Sequence, residues 1–285
     1  MTAFSRRHPL VNFIFFAFVL LITMVTEHPA ILLISLLTAA GFALCCVGTG
    51  ALLRQLRLIV PLMLFAALLN PLISRQGETV LFRFPWGSAC TWEAVFYGMI
   101  AAVRLAAVLF WFACWNSVIT SEKFLFLFGG AFPSLSLTLC MGLRFVPRLL
   151  RRMREVSQAQ KCLHPDSRGL RHAGRVVSVT VTWAMENALD TASSMKSRGY
   201  GLHGRTAFSP YRFGVEDGIA LLLIVLFGSV VLAGRLGGCL AFSFYPAVVG
   251  SNSVFTLICA VSFGLLAAYP LISEGKEALI WRSSR

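Results

Sequence analysis

The chain is a series of apolar stretches, each near the length that crosses a bilayer, separated by short polar connections that carry the charge. Six stretches read as membrane spans: Pro9–Val25, Ala30–Val47, Leu58–Ile73, Ala94–Ile119, Gly218–Ala233 and Val254–Ile272. Hydrocarbon offers no hydrogen-bond partners, so each span must satisfy its own backbone, and open sheets are excluded. Composition agrees. Of 285 residues, 57% are hydrophobic and 13% charged, where a soluble domain carries roughly a quarter charged. Mean hydropathy is +0.77. The expected fold class is an all-α polytopic membrane protein, with about six transmembrane helices plus long cytoplasmic helices. Three parts follow: 1–120 as N-terminal transmembrane helices, 121–212 as cytoplasmic or interfacial helices, and 213–285 as C-terminal transmembrane helices.

Charge supplies the orientation. Lys and Arg number 25 against 12 Asp and Glu, a formal +13. Arg6 and Arg7 precede the first span, Arg54 and Arg57 follow the second, and Lys276, Arg282 and Arg285 follow the last. The Thr26–Pro29 connection carries Glu27 and no Lys or Arg. The positive-inside rule therefore predicts a multi-pass plasma-membrane protein with both termini and the segment Ser121–Arg212 in the cytoplasm. The basic residues then set orientation and touch anionic lipid of the bilayer. No nucleic-acid partner is expected, because no basic patch interleaved with aromatics is present. The run Leu10–Val25 lacks a small-residue cleavage site before Glu27, which reads as a retained span. The eight cysteines form no Cys-x-x-Cys pair, and the five histidines no H-x-x-x-H pair, so no metal site is expected.

The long inner segment departs from the simple pattern. Phe124–Val146 is apolar but broken by Gly129, Gly130 and Pro133, and reads as a membrane-embedded or interfacial helix pair. Pro147 fits the first turn of a new helix. Arg144, Arg148, Arg151 and Arg152 share one face of it, and Leu149, Met153 and Val156 the other. That basic face suits either a lipid surface or a scaffold holding a docking element. After the polar loop His164–Gly174, Arg175–Arg198 returns to helix. Val177, Val181, Ala184, Ala188, Ala192 and Met195 recur every three or four residues, a face of mostly small side chains for close packing. Glu186 and Asp190 share another face; without a nucleophile, metal ligands or phosphate cradle beside them, they read as a solvated or salt-bridged face. Arg104 lies within the fourth span, facing the bundle or snorkelling.

Arg198 ends the second long helix, and Gly199 suits the left-handed residue that closes it. A cation there also favours the helix dipole. The run Gly199-Tyr200-Gly201-Leu202-His203-Gly204 matches G-x-G-x-x-G, but it follows a helix where a dinucleotide fingerprint must follow a strand. No G-x-x-x-x-G-K-[S/T] occurs. Any ATP drive would have to come from another chain.

In order along the chain, Asn70-Pro71-Leu72-Ile73, Gly77-Glu78-Thr79-Val80-Leu81-Phe82, Arg104, Leu143-Arg144-Phe145-Val146-Pro147, Ala159-Gln160-Lys161 and Ser194-Met195-Lys196-Ser197-Arg198-Gly199-Tyr200-Gly201 resemble the transmembrane T component of energy-coupling factor (ECF) transporters. The resemblance covers about half the chain, from Asn70 to Phe213. It implies a non-catalytic subunit of an ABC-type system for uptake of a vitamin or of a metal ion such as cobalt or nickel. Its partners would be two ABC-type ATPase subunits and a small substrate-binding membrane subunit. ATP and Mg would be bound on the ATPases, with no cofactor on this chain. The long cytoplasmic helices would be coupling helices, supported by Arg144, Pro147, Ala184 and Ala188. Two of them would end in Ala-Arg-Gly-like motifs that dock into the ATPases. Ser197-Arg198-Gly199 matches the second motif, with Ser replacing Ala. At the first, Cys162-Leu163-His164 stands where Ala-Arg-Gly is expected, and Ser167-Arg168-Gly169 lies a few residues on. Either Arg168 is the first docking arginine, beside Gly169, or that contact is made without arginine. An integral membrane enzyme acting on a phosphate-bearing lipid is the alternative. It would need a carboxylate cluster, and only Glu216-Asp217 are adjacent acids.

Overall fold

The computed structural model describes residues 4–73, 79–83, 89–129, 132–163, 169–202, 211, 213–243, 249–250 and 253–283. The chain forms two compact units, residues 1–123 with 211–285, and residues 124–210.

The first unit is a helical bundle. A 3-10 turn at Phe4–Arg6 leads to α1 (Pro9–Val25), α2 (Pro29–Val47) and α3 (Thr49–Ile73). The antiparallel hairpin β1 (Val80–Arg83) and β2 (Ala89–Thr91) leads to α4 (Trp92–Val118) and the start of α5 (Ser121–Gly129). Later come α8 (Val215–Leu236), the two-residue strands β3 (Phe242–Ser243) and β4 (Val249–Gly250), and α9 (Val254–Ser283). Among the described residues, five helices are long and apolar enough to cross a membrane: Pro29–Cys46, Leu52–Asn70, Trp92–Val118, Val215–Leu236 and Val254–Glu277. With 17 mostly apolar residues, α1 stands at the short end of the range that spans. The protein is thus an all-helical multi-pass membrane protein, with small hairpins confined to connections.

Several ends differ from the sequence reading. The third span begins earlier than Leu58: α3 runs from Thr49 through Pro61 and Pro71 to Ile73. Neighbouring helices make prolines tolerable in membrane helices, and Asn70 Nδ2 donates 2.9 Å to the Ala94 carbonyl of α4, anchoring this end.

In lipid, helices gain nothing from hiding apolar surface, so contact and hydrogen bonds hold the bundle. Where α1, α2 and α4 meet, the Ser35 hydroxyl accepts from Trp111 Nε1 at 3.0 Å and lies 2.9 Å from Thr23 Oγ1. All three side chains are fully buried. Around them Phe15, Phe16 and Phe42 pack on Trp111 and Phe4 packs on those three phenyl rings, mostly edge to face. Glycine permits close approaches between these helices. A Cβ on Gly98 would lie 2.7 Å from the Ala67 carbonyl of α3, and one on Gly228 would lie 2.5 Å from the Phe18 ring. Arg104 resolves toward the bundle: its guanidinium lies 3.9 Å from Glu27 Oε1, in the connection between α1 and α2. Lys123 is buried and donates to the Ser5 and Val118 carbonyls and the Ser5 hydroxyl, tying the N-terminal turn to the end of α4.

Ser35→Ala leaves the Trp111 N–H and the Thr23 hydroxyl without their shared partner, and should cost about 1–2 kcal/mol. Thr38→Ala, which removes only bonds within α2, should cost much less; chemical unfolding in detergent compares the two. His28, buried at the start of α2 and edge-on to Phe242, has its pKa lowered by desolvation. Unfolded histidine takes its proton near about pH 6.5, whereas folded His28 does so only at lower pH. Its neutral-form advantage is therefore complete above that value and is lost as pH falls through it. The midpoint of thermal unfolding should drop between pH 7.5 and 5.5, and His28→Phe should shrink that drop.

Candidate functional site

The second unit contains two long helices, α6 (Pro133–Leu163) and α7 (Leu170–Ser197). They run antiparallel. Ser157 Oγ lies 3.2 Å from His172 Nε2 near one end of the pair. Nearer the start of α6, Phe145 stacks on Trp183 with centroids 6.2 Å apart and planes 9° from parallel. Arg152, two turns along α6 from Phe145, sets its guanidinium 5.6 Å from the centroid of the same indole and bonds Glu155 at 3.0 Å. A cation over a tryptophan face contributes about 0.5–2 kcal/mol. Trp183 therefore clamps α7 to two residues on one face of α6.

Sequence spacing placed part of this pair correctly. Leu149, Met153 and Val156 do form a packing face of α6, with Val156 buried and the other two half-buried. Arg144, Arg148 and Arg151 are exposed, but Arg152 leaves their face for Trp183. Pro147 does not begin a helix; it lies inside α6, which is continuous from Pro133 to Leu163. An interior proline costs the bond to the carbonyl four residues back. That carbonyl belongs to the exposed Leu143, where water can replace the donor.

The packing face of α7 is rotated from the expected one. Val176 and Thr180 are buried and Trp183, Ala184, Asn187 and Met195 half-buried, while Val177, Val181, Ala188 and Ala192 are exposed. Trp183 decides this. An indole that finds both a ring and a guanidinium on α6 outweighs a row of small side chains. Its spacing with Val176, Thr180 and Asn187 was the available signal. Consequently Val177, Val181, Met185 and Leu189 present an apolar stripe, 48–73% exposed, at four-residue intervals. Glu186 and Asp190 are exposed and make no ion pair among the described residues.

The helix ends carry the charge-bearing candidates. Ser197 is the last residue of α7 and Arg198 its C-cap. The Tyr200 N–H donates to the Met195 carbonyl at 3.0 Å and the Gly199 N–H to the Lys196 carbonyl at 3.1 Å, the paired bonds of a Schellman turn. Gly199 takes φ +81, so the turn needs glycine. Arg198, just before it, is exposed and makes no ion pair or hydrogen bond through its side chain among the described residues. At the opposite end, Gly169 is the N-cap of α7 at φ 82, ψ −154, a conformation open essentially only to glycine. Arg168 lies outside the described residues. The 28 residues of α7 hold the two glycines about 40 Å apart by helical rise. The structure thus separates the two candidate docking points instead of joining them into one site. Among the described residues, no three His, Cys, Asp or Glu side chains come together as metal ligands.

No family model matches the chain. Among its relatives is the energy-coupling factor transporter transmembrane protein EcfT of Bacillus selenitireducens, 30% identical over 111 residues, which are 36% of this chain and 41% of that protein. The protein of the same name from Lactococcus lactis subsp. cremoris is 25% identical over 229 residues, 74% of this chain and 85% of the relative. The chain thus spans less than half of the first relative and most of the second.

Gly199→Ala forces an L-residue into the left-handed region at a cost of about 1–2 kcal/mol, and its Cβ would meet Leu202 Cδ1 at 3.1 Å. Hydrogen exchange should show Gly199 and Tyr200 amides losing protection in this variant, while amides at the middle of α7 are unchanged.

Proposed function

We propose that this chain, a distant homologue of ECF transporter transmembrane components, is the non-catalytic energy-coupling subunit of such a transporter. It would join two ABC-type ATPase subunits, which bind ATP and Mg, to a small substrate-binding membrane subunit that takes up a vitamin or a metal ion. Both termini and the pair α6 and α7 would face the cytoplasm, as the charge pattern requires.

The observation that carries this reading is Arg198. A glycine-closed turn fixes the helix end, and the arginine stands exposed beside it with no ion pair among the described residues. A planar guanidinium held this way is prepared for a bidentate bond to a carboxylate on another protein. Ser197 and Gly199 shape the turn on either side. Gly169, with Arg168, would form the second contact at the far end of α7, and the distance between the ends suits two separate ATPases. The clamp of Trp183 on Phe145 and Arg152 would make the helix pair move as one body, with Arg144 and Pro147 on α6 and Ala184 and Ala188 on α7 as its support. The stripe Val177, Val181, Met185 and Leu189 offers an apolar surface to the membrane subunit.

Truncating one partner of a buried interfacial ion pair costs about 2–5 kcal/mol. Arg198→Ala should therefore lower recovery of the ATPases with the affinity-purified full-length chain by at least about tenfold. Recovery of the small membrane subunit should stay unchanged. Undiminished recovery of ATPases with Arg198→Ala would sink the docking role.

A further inference from the structure

A cleft of about 860 Å3 opens in the first unit between the N-terminal turn, the start of α8 and the end of α9. Its position relative to the bilayer follows from three helix ends. The apolar run of α1 begins at Pro9, that of α8 begins at Val215, and that of α9 ends at Glu277. All three transitions from apolar to charged sequence meet here, so the cleft lies at the membrane–water boundary. Its floor includes Ile219 and Leu223, which are 58% and 38% exposed and continue along α8 into the apolar zone.

The rim carries balanced charge: Arg6, Arg7 and Lys276 against Glu216, Asp217 and Glu277. Four of these are paired. Arg6 lies 3.3 Å from Glu277, and Arg7 lies 3.9 Å from Asp217 while its guanidinium sits 5.8 Å from the Tyr269 ring centroid. The Lys276 ammonium on α9 and the Glu216 carboxylate on α8 have no ion pair among the described residues, and both are exposed. One cation and one anion therefore face the same cleft unpaired, from different helices.

We propose that this cleft binds the headgroup of an ethanolamine phospholipid. The phosphate would meet Lys276 and the half-free Arg6, the ammonium would donate to Glu216, and the acyl chains would leave over Ile219 and Leu223. The volume suits a headgroup with its glycerol, within the usual range of about 300–1,000 Å3 for ligand clefts. The charge pattern selects among lipids. A headgroup with phosphate alone meets three carboxylates and brings no cation for Glu216. A choline headgroup is cationic, but has no N–H to donate to the carboxylate. An ethanolamine headgroup supplies both a phosphate and three N–H donors. A lipid held there would bridge α8 and α9 at the boundary.

The test is native mass spectrometry of the full-length chain, delipidated in detergent and titrated with phosphatidylethanolamine, phosphatidylcholine and phosphatidylglycerol of equal chain length. The ethanolamine lipid should bind at the lowest concentration. The double variant Glu216→Gln, Lys276→Gln should weaken its retention by about tenfold, the loss of charge-assisted bonds, and weaken the choline lipid less, because that lipid loses only the contact of its phosphate with Lys276. Both side chains are exposed, so the fold is not at risk, and Arg171→Gln on α7 should have no effect. Equal retention of the three lipids, preference for phosphatidylglycerol, or full retention of the ethanolamine lipid by the double variant would each overturn the proposal.

Discussion

Inside a bilayer the solvent is as apolar as the side chains, so a bundle of leucine-rich helices has no reason to choose one packing over another. The hydroxyl of Ser35 supplies a reason. It sits where α1, α2 and α4 meet and joins the Thr23 hydroxyl and the Trp111 N–H. Breaking the arrangement strands polar groups away from water, which is costlier than losing a contact between alkyl groups. The aromatic shell of Phe15, Phe16 and Phe42 is arranged about that indole, and Phe4 brings the N-terminal turn onto it. The Lys123 bonds to the same turn then fix where α5 begins.

The second unit uses different forces for a related end. Its helices carry many charges, and one indole between a phenyl ring and a guanidinium sets which faces meet. Rotating α7 to suit Trp183 leaves the valine stripe outward. That exposed stripe and the unpaired Arg198 are what a partner could use. The stripe follows from the clamp, because the residues that hold the pair together determine which face of α7 is left over, and the exposed Arg198 follows from the glycine-closed turn.

The legible parts were those with local causes. Spans one, two and four were readable to within two residues because apolar runs end where charge or a breaker begins. The Gly199 cap was readable because a left-handed turn after a basic helix end asks for glycine. Less legible were features governed by distant partners. Pro147 looked like a helix start, yet α6 passes through it because Leu143 faces outward and α7 supports both sides. Arg104 was open between snorkelling and the bundle until Glu27, far away in sequence, proved to lie 3.9 Å from it. The choice of α7 face failed because side-chain size was read without knowing what Trp183 would meet.

By itself, then, the sequence determined that this chain is a multi-pass helical membrane protein with a basic, helical segment between its membrane parts. Backbone hydrogen bonding in lipid allows little else, and helix caps are built from neighbouring residues. Only the tertiary structure decided which polar residues find each other and which face of α7 is covered. Those outcomes depend on pairs such as Ser35 with Trp111 and Phe145 with Trp183, whose members are 76 residues apart in the first case. No local periodicity encodes a meeting at that separation.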